Sequence, residues 1–173
     1  MSTAAAFGVA PLRAALLEDP IAFLSAEHAR QMALLGHLER LARAPRARTA
    51  RVMAGALLRW LTKELPVHVA DEEQSLYPRL RRHDAAVVER LSAEHRRDAR
   101  LAADTVRGLR AIATGEAVGD EALRGAATFA RLHRQHLRVE EATVMPLSRQ
   151  MLTRGEQADL AHEMARRRGL IGD

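Results

Sequence analysis

Apolar residues recur along this chain at intervals of three and four, the spacing of one helical face. After Asp19-Pro20 the stripe reads Ile21, Leu24, His28, Leu35 and Leu38. After Thr49 it reads Leu58, Leu61, Leu65, His68, Glu72 and Leu76. After Asp84 it reads Val88, Leu91, His95, Ala102, Val106 and Leu109, and after Asp120 it reads Phe129, His133, His136, Glu140, Val144 and Leu147. Caps and breakers set the borders. Asp19 as N-cap with Pro20 at the first position predicts a helix to about Arg43, before Pro45. Thr49 starts a second, to about Tyr77 ahead of Pro78, with a kink or break expected at Pro66. Asp84 caps a third that ends near Gly115. Asp120 opens a fourth, to about Met145 before Pro146. Thr153 caps a short fifth, closed by Gly169, and residues 11–18 have room for a helical turn or two. No segment alternates with period two. The expected fold is all-α: an antiparallel up-down four-helix bundle over residues 19–150, with an N-terminal extension (1–18) and a short extra C-terminal helix in 151–173.

Composition sharpens this picture. The 173 residues are rich in Ala, Leu and Arg and only 3% aromatic, which suits helices and suits sheets badly. There is no cysteine, so disulfides, thiolate metal sites and cysteine nucleophiles are excluded. The opening MSTAAAFGVAPLRAALL lacks a basic segment ahead of an apolar one, and no apolar run approaches the roughly 20 residues of a membrane span. A cytoplasmic protein with no membrane partner is expected. The net charge of +5 comes from scattered arginines without stacking aromatics, which reads as a solvated surface and disfavours nucleic acid as a partner.

The candidate chemistry lies in the stripes. Every long helix turns a histidine inward, and two helices add a glutamate one turn later. A buried carboxylate is costly unless it is paired or binds a metal. Moreover, the chain repeats itself. LSAEH occurs at 24–28 and at 91–95, and H-x-x-x-E-E-x-x-x-x-P occurs at 68–78 and at 136–146. The interval from His28 to His68 is 40 residues and that from His95 to His136 is 41. Two related helical hairpins facing one another would bring four imidazoles and two carboxylates to one depth. Imidazole and carboxylate without sulfur suit iron, manganese or zinc. A glutamate from each half can bridge two metals. Each metal would then take two histidines, one oxygen from each bridging carboxylate and a shared oxo, hydroxo or water, leaving one coordination position open.

These six residues and their spacing resemble the hemerythrin-like HHE cation-binding family, over roughly residues 20–148. The resemblance implies a four-helix bundle with a non-heme di-iron centre, ligated by His28, His68, Glu72, His95, His136 and Glu140, with Glu72 and Glu140 bridging. It departs from the oxygen carriers of that family, whose fifth histidine falls here on Ala99; His133 is a candidate substitute. Ferritin-like bundles use Glu-x-x-His instead, so that alternative is disfavoured. The expected function is to bind or sense O₂, NO or peroxide at the open positions. The alternatives are a di-iron oxidase or peroxidase, an iron-homeostasis protein, and an interaction module with a purely structural metal; a protein partner or homodimer is left open. Glu73 and Glu141 follow the ligand glutamates by about 100° of helix rotation and are expected to face solvent, with support of the ligands from behind or bridging as the alternative. Glu27 and Glu94 either orient a ring N–H or sit on the surface. His37, His83 and His162 are expected at the surface, and Tyr77 is expected to pack, with gating the cage or hydrogen-bonding a ligand as the alternative.

Overall fold

A computed structural model of the chain describes residue 12 and residues 14–172. Among these residues every regular element is helical and there is no strand. The helical turns expected over residues 11–18 fall partly outside the described residues; a 3-10 turn occupies Ala14–Glu18. Helix α1, Pro20–Arg43, starts where Asp19 accepts the Ala22 N–H at 2.8 Å, with Pro20 in the first turn. Helix α5, Ala85–Thr114, is capped by Asp84, which accepts the Val87 N–H at 3.0 Å. It ends at Gly115, whose φ of 86° is open to glycine and strained for other residues. Helix α8, Arg154–Arg167, opens with a reciprocal box between Thr153 and Glu156.

The prolines behave differently from expectation. Helical turns continue from Ala50 to Leu80 through α2 (Ala50–Arg59), α3 (Leu65–Asp71) and α4 (Tyr77–Leu80), joined by π-turns at Trp60–Glu64 and Glu72–Leu76. Likewise α6 (Asp120–Val139) passes through a π-turn at Glu140–Val144 into α7 (Met145–Met151). The chain therefore does not stop before Pro78 or Pro146, nor break at Pro66. A proline inside an α-helix lacks an N–H and drives its ring against the carbonyl four residues back. Here the residue before each proline bonds five residues back instead: Leu65 to Trp60, Tyr77 to Glu72 and Met145 to Glu140. The wider turn accommodates the ring without ending the helix. Two of the three π-turns begin at Glu72 and Glu140.

Helix α5 packs on α6 and on α2, and α1 packs on α6 and on α2. Two apolar clusters fill the interior. One contains Leu35, Leu38, Leu57, Trp60, Leu109 and Phe129; the other contains Leu24, Leu76, Tyr77, Leu80, Leu91 and Val144. Each long helical run crosses from one cluster to the other, and at the crossing its buried residues turn polar: His28 and Gln31, then His68, Asp71 and Glu72, then His95 and Asp98, then His133, His136 and Glu140. Helix α8 buries Leu160 and Met164 and lies against α1, α3 and the 3-10 turn. Among the described residues no helix is long and apolar enough to cross a membrane. Trp60 is 1% exposed and its ring centroid lies 6.3 Å from that of Phe129. Trp60→Ala is therefore expected to destabilise the fold by about 3–5 kcal/mol, measured by chemical denaturation.

Candidate metal centre

All six sequence-predicted residues meet in the polar layer, none more than 6% exposed. They form two groups that could hold a metal ion: His28, His68, Glu72 and Glu140, and His95, His136, Glu72 and Glu140. Within each group the donor atoms all lie within 4.8 Å of one another. The two glutamates are common to both groups. The Nε2 atoms of His28 and His68 lie 3.2 and 3.1 Å from Glu72 Oε1, and that of His95 lies 3.3 Å from Glu72 Oε2. Those of His28 and His136 lie 3.4 Å from Glu140 Oε2. Each histidine pair belongs to one hairpin, with ring centroids 5.0 Å apart for His28 and His68 and 4.5 Å apart for His95 and His136.

Five of these inward atoms make no hydrogen bond: Nε2 of His68, His95 and His136, and Oε2 of Glu72 and Glu140. Leaving a buried polar atom unsatisfied costs about 1–3 kcal/mol. Five aimed at one another in one place fit a cation. The donor set, four imidazole nitrogens and two carboxylates without sulfur, suits iron, manganese or zinc.

The outer ring nitrogens are all held by carboxylates. His68 Nδ1 lies 2.9 Å from Glu27 and His136 Nδ1 3.0 Å from Glu94. His28 Nδ1 lies 2.6 Å from Glu141 and His95 Nδ1 2.7 Å from Glu73. Such a partner keeps the proton on Nδ1 and turns the Nε2 lone pair inward. Glu73 and Glu141 are thus not merely solvent-facing, as their angular offset predicts. They stand half-exposed in the grooves between helices, within reach of a ring that itself points inward. The π-turn advances less per residue than an α-turn and lessens their offset from Glu72 and Glu140.

Four of the five positions in the repeated pentapeptide have the same role in both halves. Leu24 and Leu91 are fully buried core. Ser25 and Ser92 donate to Glu141 at 3.3 Å and to Glu73 at 2.9 Å. Glu27 and Glu94 hold the second histidine of their own hairpin, and His28 and His95 enter the cage. The only sequence signal for the outer glutamates was that they recur in both halves at the same offset.

His133 does not supply a further inward nitrogen. It is buried, but its Nδ1 lies 3.1 Å from Asp98 and its Nε2 2.9 Å from the Gln31 side-chain oxygen, so both nitrogens are occupied. Its ring stacks between Phe129 and His136. Ala99 is exposed. With Ala102 and Val106 it faces Leu65, Pro66 and Val69 across a furrow of about 760 Å³, and His95, Asp98 and His133 lie at its buried side. Tyr77 does more than pack: its hydroxyl donates to Glu140 Oε1 at 2.5 Å and its ring stacks on His95. His83 and His162 are exposed and His37 is half-buried, all three outside the cage.

The electrostatics follow from two carboxylates in one small space. Burial opposes a charge on His28, but Glu141 and Glu72 outweigh it and raise its pKa to about 9. His95 is raised to about 10 by Glu72 and Glu73, again against its burial. Burial and the neighbouring His95 lower His136 to about 4. Burial would raise Glu72, yet His68 chief among the imidazoles holds it well below the usual carboxylate range. Burial and Glu72 together push Glu140 up.

Protons on His28 and His95 therefore occupy lone pairs that a cation needs. Metal uptake at neutral pH is expected to release protons, read by calorimetry in buffers of different ionisation enthalpy, and affinity is expected to rise with pH up to about 10. The same raised values stabilise the metal-free fold below the unfolded histidine pKa of about 6.5, and that contribution is lost as pH climbs through about 9 and 10. Thermal melts of metal-free protein should fall across that interval. Glu73→Ala and Glu141→Ala are each expected to weaken metal affinity by about 10- to 100-fold in a chelator competition.

No curated protein matches the chain. A family model, that of the hemerythrin HHE cation binding domain, matches residues 19–148. That span contains every residue of the cage and all four carboxylates behind it. The buried cluster of histidine and glutamate points to metal binding on its own terms, and together with the match over most of its length it shows that the chain belongs to the hemerythrin HHE cation-binding domain family.

Proposed function

We propose that this protein is a non-heme di-iron protein that binds or senses O₂, NO or peroxide. The observation that carries the reading is the convergence of four Nε2 atoms on two shared, buried carboxylates, with every Nδ1 held from behind by a further carboxylate. His28 and His68 would hold one ion and His95 and His136 the other, with Glu72 and Glu140 spanning both. Iron bound there supplies a redox-capable Lewis acid with room for a small exogenous ligand.

The chain's own residues prepare this chemistry. The outer glutamates fix each imidazole in one tautomer and orientation. Tyr77 holds Glu140 by a donated hydrogen bond. The furrow beside Ala99 supports approach of a small ligand from the His95 side. An antiparallel up-down four-helix bundle in a cytoplasmic setting belongs to the same proposal. Successive helical runs meet the two apolar clusters in alternating order, which supports that topology.

The test is metal quantification on the purified protein, with optical spectra of the reduced form before and after O₂, NO and peroxide. About two irons per chain and a spectral change that reverses on removing the gas are expected. Irreversible change with peroxide turnover assigns the protein to the oxidases or peroxidases instead. Two irons that respond to none of the three assign it a structural ion. Folded protein that takes up no metal overturns the reading. His68→Ala and Glu140→Ala should each lower bound iron sharply and His37→Ala should not; equal iron in all three refutes the ligand assignment.

A further inference from the structure

The two halves of the cage carry the same donors in different surroundings, and one of the differences is made by α8. This helix lies beyond the residues matched to the family. It is seated by Leu160 and Met164, and by Glu163, which pairs with Arg79 at 2.8 Å. Its last turn delivers two arginines to the first half-site. Arg167 lies 2.7 Å from Asp71 Oδ1, and it also donates to Ser75. Arg168 spans two carboxylates, with Nη1 2.7 Å from Asp71 Oδ2 and Nη2 3.3 Å from Glu27 Oε2. The guanidinium also lies 4.9 Å from the centre of the Phe23 ring and donates to the Met164 carbonyl at 3.0 Å, so its plane is fixed.

Both carboxylates adjoin the cage. Glu27 holds His68 Nδ1 at 2.9 Å. Asp71 is 0% exposed, directly precedes Glu72, and lies outside both donor groups. A buried carboxylate at that position is tolerated because α8 brings cations to it. At the matching position of the second half, before Glu140, the residue is Val139. The matching outer glutamate there, Glu94, is held by Arg90 of its own helix at 3.0 Å, a pair in which the arginine is 57% exposed. Exposed pairs four residues apart contribute little. Arg168, at 17% exposed, meets Glu27 at 3.3 Å in a far less solvated setting, where screening is weaker and the guanidinium is held in place by Asp71, Phe23 and the Met164 carbonyl.

We infer that α8 is a positioning element for the first half-site: Arg168 fixes Glu27, Glu27 fixes His68, and the ion held by His28 and His68 is bound more tightly than the ion held by His95 and His136. This rests on the metal-binding reading above. Arg168 touches none of the six cage residues and acts on them through Glu27.

The experiment loads the full-length protein anaerobically with ferrous iron and follows its removal by a ferrous chelator. Wild-type protein should release two ions in two steps. Arg168→Ala should weaken the tighter step by about tenfold, the lower end of the effect of an outer partner, and leave the other step unchanged. Arg168→Lys keeps a cation beside Asp71 but cannot span both carboxylates; it should fold and weaken the same step, which keeps the test open if the alanine variant does not fold. Arg167→Ala leaves Glu27 held, so it should lower the melting temperature and move neither step. Arg90→Ala should leave the tighter step where it was and move the weaker one little. The inference is overturned if Arg168→Lys leaves both steps where they were, if the Arg168 variants shift both equally, or if the two wild-type ions leave together. Wild-type protein that binds no iron overturns the metal reading itself, a result distinct from these.

Discussion

Glu72 and Glu140 lie side by side with no solvent exposure, between two clusters of leucine and aromatic side chains. Removing two carboxylates from water costs several kcal/mol each unless other charges and donors compensate. Most of the interior is arranged around that requirement. Four imidazoles surround the pair, and four further carboxylates stand behind the imidazoles. Behind one of those carboxylates stands Arg168. Charge therefore alternates outward in shells, each satisfying the one inside it. A metal cation in the centre would complete the series, taking the lone pairs that protons on His28 and His95 occupy in its absence.

The repeat in the chain becomes a mutual dependence in space. Glu27 and Glu94 each serve a histidine of their own hairpin, whereas Glu73 and Glu141 reach across to the other. Neither half can orient all its rings alone, which ties site assembly to the docking of the hairpins. The departures from symmetry are equally informative. His133 is tied into Asp98 and Gln31 on one side only, the Ala99 furrow opens against His95, and α8 closes over the half that holds His68. A symmetric sequence pattern has acquired unequal surroundings: a furrow of about 760 Å³ beside His95, a smaller one of about 420 Å³ beside His28, and α8 over His68.

The prolines show how a local rule can be obeyed without its usual result. Each of Pro66, Pro78 and Pro146 forbids an ordinary α-turn around it, and each time the chain answers with a π-turn. At two of the three the wide turn starts on a shared glutamate. The irregularity brings the following glutamate toward the groove where a histidine awaits it, which ties a backbone defect to the order of the site.

Much of this was legible beforehand. The 3.6-residue period located four long helical runs, the caps at Asp19 and Asp84 marked the starts of two of them and Thr153 that of the short fifth, and the doubled H…HxxxE set named the six inward residues, because caps and inward faces are read along a helix's own axis and the repeat along the chain. The roles of Glu73, Glu141 and Tyr77, the capture of His133 by Asp98 and Gln31, and the clamp on Asp71 were not. Each depends on which side chain a neighbouring helix presents across a groove. Periodicity tells which way a residue faces; only the packing of helix against helix sets what it meets there.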